Sequence, residues 1–168
     1  MDFLGKNPIS GPVLLLGKVS MLFCWLFFFA GLIELPVLFE NSVARIAAIV
    51  LVAAGLACTV TSVRQLGESA SVGLSRDATL LKTRGMYAVT RNPMYVGGYL
   101  VSLGSCLYSP HPVNFALCAL TIAIHHAIVL KEEKFLADRF GVAWLAYRGS
   151  VPRYVGRVKP QAMRPSAS

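Results

Sequence analysis

Charged side chains are scarce in this sequence. Only 14% of its 168 residues are Asp, Glu, Lys or Arg, whereas 55% are hydrophobic and the mean hydropathy is +0.61. So few charges cannot cover the surface of a water-soluble protein. The composition therefore predicts an integral membrane protein, and the length suits a single domain over residues 1–168.

Acidic residues are the scarcest of the charged types. The chain has 8 Asp and Glu against 16 Lys and Arg, so its formal net charge is +8. The basic residues flank the apolar runs instead of forming a continuous stripe, which indicates membrane topology and contact with anionic lipid headgroups. We therefore expect no nucleic-acid partner.

Paired cysteines and the common catalytic signatures are missing. No CxxC pair occurs, and we expect reduced, buried thiols at the four cysteines in the apolar segments: Cys24, Cys58, Cys106 and Cys118. His125 and His126 are adjacent, so they point about 100° apart on a helix, and no HExxH spacing is present. P-loop, GxGxxG and serine hydrolase patterns do not occur. A metal site and a disulfide framework are not expected.

Four apolar runs organise the chain. We predict membrane-spanning helices over residues 13–35, 43–63, 94–108 and 113–130, because about twenty apolar residues cross the hydrocarbon core. The last two runs are short, and the turn that joins them, Ser109–Pro112, contains prolines that cannot continue a helix. The expected fold class is all-α, with about four transmembrane helices.

The loops set the expected topology. Nearly all Lys and Arg lie in residues 64–92 and in the C-terminal region, so the positive-inside rule places both regions and both termini in the cytoplasm. The protein is then a multi-pass component of a plasma, inner or endoplasmic reticulum membrane. Its site-forming segments are expected at residues 64–93 and 131–157.

The C-terminal segment is expected to continue the fourth helix beyond the membrane. Gly141 is predicted to cap that helix, and residues 142–148 are predicted to form a further short helix. Trp144 and Tyr147 on this short helix suit anchoring at the membrane interface. Residues 159–168 are expected to be disordered.

The stretch Gly85–Gly98 runs from a basic loop into the third apolar run. Arg91 stands at the entry, Asn92 is placed to cap the helix with its side chain, and Pro93 suits the first turn. Gly97 removes side-chain bulk one turn later. These features suit the binding of an anionic group or a flat ring at a helix N-terminus. The alternative is an ordinary helix start with Arg and Tyr side chains among the headgroups.

Glu132 and Glu133 lie where the fourth apolar run leaves the membrane. A carboxylate near lipid is costly unless it is paired or solvated. We expect one of the two to pair with Arg91 or Arg153, and the other to bind a ligand hydroxyl or cation. His126 lies two turns before Glu133 on the same helix face. The alternative is a simple ion-pair cluster with the two lysines that flank the carboxylates.

This series of motifs resembles the isoprenylcysteine carboxyl methyltransferase and phospholipid methyltransferase superfamily of integral membrane enzymes. Members share a Gly-x-Tyr-x-x-x-Arg-His-Pro-x-Tyr-x-Gly run, a helical hairpin, a Glu-Glu pair, Phe-Gly, a Tyr and Val-Pro-Arg. Order and spacing match over roughly half of the chain, at Gly85, Tyr87, Arg91-Asn92-Pro93, Tyr95, Gly97, Glu132-Glu133, Phe140-Gly141, Tyr147 and Val151-Pro152-Arg153. Asn92 replaces the usual histidine, and the Asn-Pro-Met-Tyr form looks like the phosphatidylethanolamine N-methyltransferase branch.

The resemblance implies an S-adenosylmethionine site at the cytoplasmic ends of the third and fourth helices. Arg91 and the helix N-terminal amides suit the carboxylate of the cofactor, while Glu132 or Glu133 suits its ammonium or ribose hydroxyls. Tyrosines can pack on the adenine or face the sulfonium. The cofactor-binding residues so implied are Tyr87, Arg91, Asn92, Pro93, Tyr95, Gly97, Glu132 and Glu133.

The implied reaction is methyl transfer to a lipophilic acceptor, either an isoprenylcysteine-like carboxylate or a phospholipid amine. A carboxylate acceptor needs no base, whereas an ammonium must first lose a proton, which makes Glu133 or His126 the candidate base. The catalytic residues implied are Glu133, Arg91 and His126. An NADPH-dependent membrane reductase of the sterol reductase type and a non-catalytic member of the fold remain as alternatives.

Overall fold

The structure is a computed structural model that describes residues 11–31, 41–66 and 81–158. Every regular element in these ranges is helical: α1 (Gly11–Gly31), α2 (Ser42–Leu66), a 3-10 turn (Gly85–Ala88), α3 (Pro93–Tyr108) and α4 (Pro112–Ser150). The predicted all-α class with about four long helices is confirmed. The end of the first predicted span, most of the loop before the 3-10 turn and the expected disordered tail lie outside the described residues.

Three of the helices are long and apolar enough to cross a membrane, namely α1, α2 and α4. The third predicted span, α3, has 16 residues and so extends about 24 Å, less than the thickness of the hydrocarbon core. Large apolar side chains are exposed along the outer faces of α1 and α2, including Leu15, Leu22, Phe29, Ile46 and Val50. Such a continuous apolar exterior is suited to lipid.

Small residues bring α2 and α3 into close contact. A Cβ added to Gly55 would lie 2.6 Å from the carbonyl oxygen of Gly97, and one added to Gly104 would lie 2.9 Å from that of Ala48. Membrane helices associate through such close packing, since water exclusion does not drive their contact. The small residues of the second predicted span therefore serve helix packing.

Polar side chains face the interior of the bundle. Ser105 Oγ donates to the carbonyl of Cys24 on α1, and Asn114 on α4 donates to Ser105 Oγ at 3.2 Å. Thr121 on α4 donates to Ser20 on α1 at 3.1 Å. These bonds join α1, α3 and α4, because polar groups inside a membrane protein find partners on neighbouring helices.

The long helix α4 is interrupted at Gly141, where φ is 48°, and resumes to end at Ser150. Glycine adopts positive φ without the steric cost that other residues incur. Beyond the kink, Trp144 and Tyr147 are only 2% and 5% exposed. Their predicted role as interfacial anchors is wrong, because they are buried against Phe140 and against Leu81 of the polar loop, which comprises residues 81–92.

Candidate active site

The carboxylate of Glu133 is held between two arginines at one end of the bundle. Arg91 Nη2 lies 3.0 Å from Glu133 Oε1, and Arg153 Nη2 lies 2.8 Å from Glu133 Oε2. The Nε atoms of both arginines also donate to Oε1, at 3.2 and 3.0 Å. The side chains of Arg91 and Glu133 are only 7% and 8% exposed, whereas that of Arg153 is 31% exposed. We call these three residues the arginine clamp.

Backbone contacts fasten the polar loop to the segment after α4. The backbone amide of Arg91 donates to the carbonyl of Pro152 at 2.9 Å. Thr90 Oγ1 and Asn92 Nδ2 both donate to the carbonyl of Arg153, at 3.0 and 3.1 Å. The stretch Gly85–Gly98 and residues 132–153 therefore meet through main-chain bonds as well as charges.

The 3-10 turn is held by helices on both sides. Gly85 has φ of 64°, a left-handed conformation that favours glycine, and the next amide, of Met86, donates to Gln65 Oε1 at 2.7 Å. On the other side, the hydroxyl of Tyr147 donates to the carbonyl of Tyr87 at 2.6 Å. The end of α2 and the end of α4 thus fix the position of the loop that carries Arg91.

Asn92 does not act as the predicted side-chain cap of α3. Its carbonyl accepts the first helical bond, from Val96 at 3.0 Å, and Pro93 occupies the first turn as predicted. The side chain of Asn92 makes no cap bond and instead donates to Glu133 Oε1 at 3.4 Å and to the carbonyl of Arg153. An amide donor is satisfied better by a carboxylate and a carbonyl than by the donor-rich helix start.

Glu132 and Glu133 are adjacent yet differ in their electrostatics. Burial raises the pKa of Glu133, but the hydrogen bonds of Arg153 and the charge of Arg91 lower it by more, so that pKa lies below its ordinary value. Glu132 lies beyond the last residue of the predicted span, Leu130. Burial raises the pKa of Glu132 to about 7, and the hydrogen bond from Tyr95 offsets part of this rise.

A group of aromatic side chains adjoins Glu132. The hydroxyl of Tyr95 donates to Glu132 Oε1 at 3.0 Å. His126 Nδ1 lies 3.0 Å from the hydroxyl of Tyr154, whose ring packs against that of Tyr99 at 5.6 Å. The buried hydroxyl of Tyr99 has no hydrogen-bond partner in the described ranges. These aromatic side chains together form one surface beside Glu132.

The flanking lysines do not take part in an ion-pair cluster with these carboxylates. Between residues 81 and 158, the salt bridges of Glu133 go to Arg91 and Arg153. Lys131 and Lys134 are exposed. The expected pairing of one carboxylate with arginine is seen at Glu133, whereas the binding of a ligand hydroxyl or cation by the other carboxylate stays a prediction.

Gly97, which the sequence also singled out, lies apart from this cluster. A Cβ on Gly97 would contact the hydroxyl of Thr59 and would lie 2.7 Å from the carbonyl of Gly55, so this glycine faces α2. His125 borders the cluster, because its ring lies 5.7 Å from that of Tyr95, while its Nδ1 bonds the carbonyl of Thr121 at 2.8 Å. The structure thus brings together Tyr87, Arg91, Asn92, Tyr95, His126, Glu132 and Glu133, and places Gly97 against α2, on the face of α3 where the Pro93 carbonyl accepts from Cys58.

Several residues of the site were not assigned from the sequence. The guanidinium of Arg91 stacks over the Trp144 ring at 5.7 Å and donates to the carbonyl of Arg148 at 2.9 Å. Tyr99 and Tyr154 complete the aromatic side. Tyr154 directly follows the Val-Pro-Arg motif, which was the available signal, whereas a carbonyl contact such as that of Arg148 leaves no trace in a sequence.

The bundle and this site together define an all-α membrane protein with a charged, partly buried site at one end. Residues 43–143 match the phospholipid methyltransferase family. Because the match covers more than half of the chain, the chain belongs to the phospholipid methyltransferase family. The resemblance predicted from the motifs is thereby confirmed, although Arg153 and Tyr154 lie beyond the matched residues.

A curated relative supports the same class. Protein-S-isoprenylcysteine O-methyltransferase of Schizosaccharomyces pombe is 34% identical over 74 residues, which is 44% of this chain and 31% of the relative. The match thus spans less than a third of the length of that relative. No solved structure matches the chain. The family and this relative indicate a membrane methyltransferase and do not favour the reductase alternative.

Proposed function

We propose that this protein transfers a methyl group from S-adenosylmethionine to a lipophilic acceptor at the end of the bundle that holds the arginine clamp. The observation that carries the proposal is the contrast between two neighbouring carboxylates. Glu133 is neutralised by two arginines, while Glu132 is desolvated beside tyrosines. Such perturbed titratable groups are typical of functional sites.

The residues at this end fit the polar groups of the cofactor. The bonds of Arg153 to Glu133 use Nε and Nη2, so Nη1 is available to donate to a carboxylate. Glu132 Oε2 is available to accept from an ammonium or a ribose hydroxyl, because Tyr95 bonds Oε1. The rings of Tyr95 and Tyr99 offer aromatic faces to a sulfonium. When bound, S-adenosylmethionine supplies an electrophilic methyl group on a sulfonium that leaves as a neutral thioether.

Arg91 and Glu133 organise the site in this proposal. Arg91 is buried and already donates to Glu133 and to the carbonyl of Arg148, so its main effect is to hold the loop and the C-terminal segment in place. Arg153 is the more exposed of the two arginines and is the better cation for a ligand carboxylate. The lowered pKa of Glu133 keeps it ionised and makes it a poor proton acceptor.

Glu132 is the better candidate for a general base. A base is most effective when its pKa lies near the working pH, and burial raises the pKa of Glu132 to about 7. An ammonium acceptor would give up its proton to Glu132 before attack. His126, which bonds Tyr154, is the second candidate for moving that proton. A carboxylate acceptor would need neither residue.

We further propose that the site faces the cytoplasm and that the acceptor enters from the lipid. The basic loop and C-terminal segment lie together at this end, as the positive-inside rule requires of a cytoplasmic face. The short helix α3 places Tyr95 against Glu132 of α4 and Tyr99 against Tyr154 in the segment after α4. A lipophilic acceptor can therefore place its polar head beside Glu132 while its chain stays in the bilayer.

Transfer of a labelled methyl group tests this proposal. The purified protein in proteoliposomes is given methyl-labelled S-adenosylmethionine with phosphatidylethanolamine or with a prenylated cysteine. Glu132→Gln is expected to lower methylation of the amine by about 100-fold or more, because general-base catalysis contributes at least that much. At saturating S-adenosylmethionine, methylation of the carboxylate acceptor is expected to keep most of its rate, because the amide oxygen of Gln still accepts a hydrogen bond from the cofactor. Asp138→Asn makes the same chemical change at an exposed position of α4 and is the matched control.

Ligand-induced thermal stabilisation in detergent tests the cofactor separately. S-adenosylhomocysteine is expected to raise the unfolding temperature, and Arg153→Ala is expected to remove that rise. Stabilisation by NADPH but not by S-adenosylhomocysteine would overturn the methyltransferase proposal. Methyl transfer that is equal in Glu132→Gln and the parent protein, for an amine acceptor, would exclude Glu132 as the base.

A further inference from the structure

Three cysteine thiols converge between three different helices in the half of the bundle away from the arginine clamp. Cys24 of α1, Cys106 of α3 and Cys118 of α4 have Sγ atoms that all lie within 4.8 Å of one another. All three side chains are buried, at 5% exposure or less, and none forms a disulfide. No sequence spacing links these positions, so their convergence is a result of the tertiary fold.

This cluster is separate from the candidate active site. Cys118 precedes Glu132 by 14 residues on α4, which corresponds to about 21 Å along the helix. It lies six residues after the start of α4 at Pro112, about 9 Å from that end of the bundle. The cluster therefore lies nearer the end of the bundle opposite the arginine clamp than to the clamp itself.

A buried amide side chain supplies a fourth potential ligand. Asn114 is fully buried, and its Oδ1 accepts from the thiol of Cys24 at 3.3 Å. Its Nδ2 donates to Ser105 Oγ at 3.2 Å and to the carbonyl of Ser109 at 3.1 Å. These two bonds fix which end of the amide faces the thiols. Supporting bonds of this kind orient the ligands in metal sites.

We propose that Cys24, Cys106 and Cys118, with the amide oxygen of Asn114, bind one thiophilic divalent metal ion. Zinc–sulfur bonds of about 2.3 Å put sulfur atoms about 3.8 Å apart in a tetrahedral site. The observed separations need to contract by at most about 1 Å to reach this value. Thiolate sulfurs are the soft ligands that such ions prefer, and the amide oxygen completes a four-coordinate set.

The ligands determine the charge of the bound site. Cysteine binds a metal ion as the thiolate, so all three thiols lose a proton, and the single net negative charge that remains with a divalent ion lies among the buried polar side chains of Ser102, Ser105 and Asn114. Binding is therefore expected to release about three protons per ion. Affinity is expected to rise with pH, because each released proton favours the bound form at lower proton concentration.

Titration of the purified protein with Cd²⁺ tests this inference. In detergent and under reducing conditions, we expect an ultraviolet thiolate-to-cadmium band that saturates at one ion per chain. Cys118→Ser is expected to abolish the band, and Asn114→Ala is expected to weaken binding about tenfold or more. Cys58→Ser is the matched control, because the Cys58 thiol bonds the carbonyl of Pro93 at 3.2 Å, away from the cluster.

Cadmium binding to the parent protein tests the proposal without any substitution, so the test does not depend on the folding of a variant. The chemical shift of bound cadmium-113 reports the number of coordinating sulfurs, which is expected to be three. A parent protein without a saturable site for one ion would show that the thiols only pack. Loss of the band in Cys58→Ser, or a shift typical of oxygen ligands, would also overturn the proposal.

Discussion

Substitution of Glu133 by Gln is the most informative perturbation of this protein. The change keeps the size of the side chain and one acceptor oxygen but removes the charge that Arg91 and Arg153 share. Both arginines then lie close together without a neutralising carboxylate. Because Glu133 joins α4 to the polar loop and to the segment after α4, we expect those two segments to detach while the spanning helices stay packed.

The size of the effect follows from the burial of the pair. Removing one partner of a buried ion pair costs about 3–5 kcal/mol. The lower value applies here, since Arg153 is 31% exposed and the amide retains an acceptor. About 3 kcal/mol corresponds to a population of the detached state that is roughly 100-fold higher, at 1.4 kcal/mol for each factor of ten.

Hydrogen exchange measures this detachment directly. The backbone amide of Arg91 donates to the carbonyl of Pro152, so it exchanges only when the loop leaves the C-terminal segment. We expect its exchange to be about 100-fold faster in Glu133→Gln than in the parent protein. Amides within α2 should keep their parent rates, because detachment leaves the spanning helices intact.

The adjacent substitution Glu132→Gln provides the matched control, because its expected effect on stability is opposite to that of Glu133→Gln. The pKa of Glu132 is raised to about 7, so its ionised form costs stability that a neutral amide restores. Exchange at Arg91 is expected to be unchanged or slower in this variant at pH 8. Equal acceleration in both variants, or no change in Glu133→Gln, would refute the assignment of Glu133 as the residue that holds the site together.

Three further predictions concern stability. Folding raises the pKa of Glu132 from an ordinary value of 4.5 to about 7. The free energy of unfolding is therefore expected to fall by at most about 3 kcal/mol as the pH rises through this range. The same fall in Glu132→Gln would show that Glu132 is not its cause. Gly97→Ala is expected to lower the free energy of unfolding in detergent by about 1–3 kcal/mol, because the added methyl group would clash with α2. Gly149→Ala is the control: its methyl group would meet no other atom, so stability should be unchanged or slightly higher. Tyr147→Phe removes the hydrogen bond to the carbonyl of Tyr87 and is expected to lower the free energy of unfolding by about 1–2 kcal/mol. An unchanged free energy of unfolding would show that water replaces the hydroxyl.

Much of the fold was predictable because hydrophobic run length is a local property of the sequence. The run at 43–63 predicted α2 (Ser42–Leu66) closely, and Pro93 marked the start of α3. The direction of side chains was less predictable. Asn92 was expected to cap α3 but turns toward Glu133, because the carboxylate and a carbonyl from residue 153 are nearby only in the folded chain.

The candidate site was predictable in its members more than in its contacts. Arg91 and Glu133 were recognisable from their spacing within the family pattern. The sequence left open which carboxylate pairs with arginine, because adjacent helical residues differ only in the direction they face. The structure directs Glu133 to the clamp and Glu132 to Tyr95. Gly97 was expected near the cofactor, yet its face of α3 packs on α2.

The sequence by itself determined the membrane character, the all-α class, the family and the two polar motifs, since each depends on composition or on spacing along the chain. Only the tertiary structure decided the different electrostatics of Glu132 and Glu133, because burial and charge neighbours come from other helices. It likewise decided the convergence of three cysteines separated by up to 94 residues, from Cys24 to Cys118. Contacts between distant helices depend on packing, which no local pattern encodes.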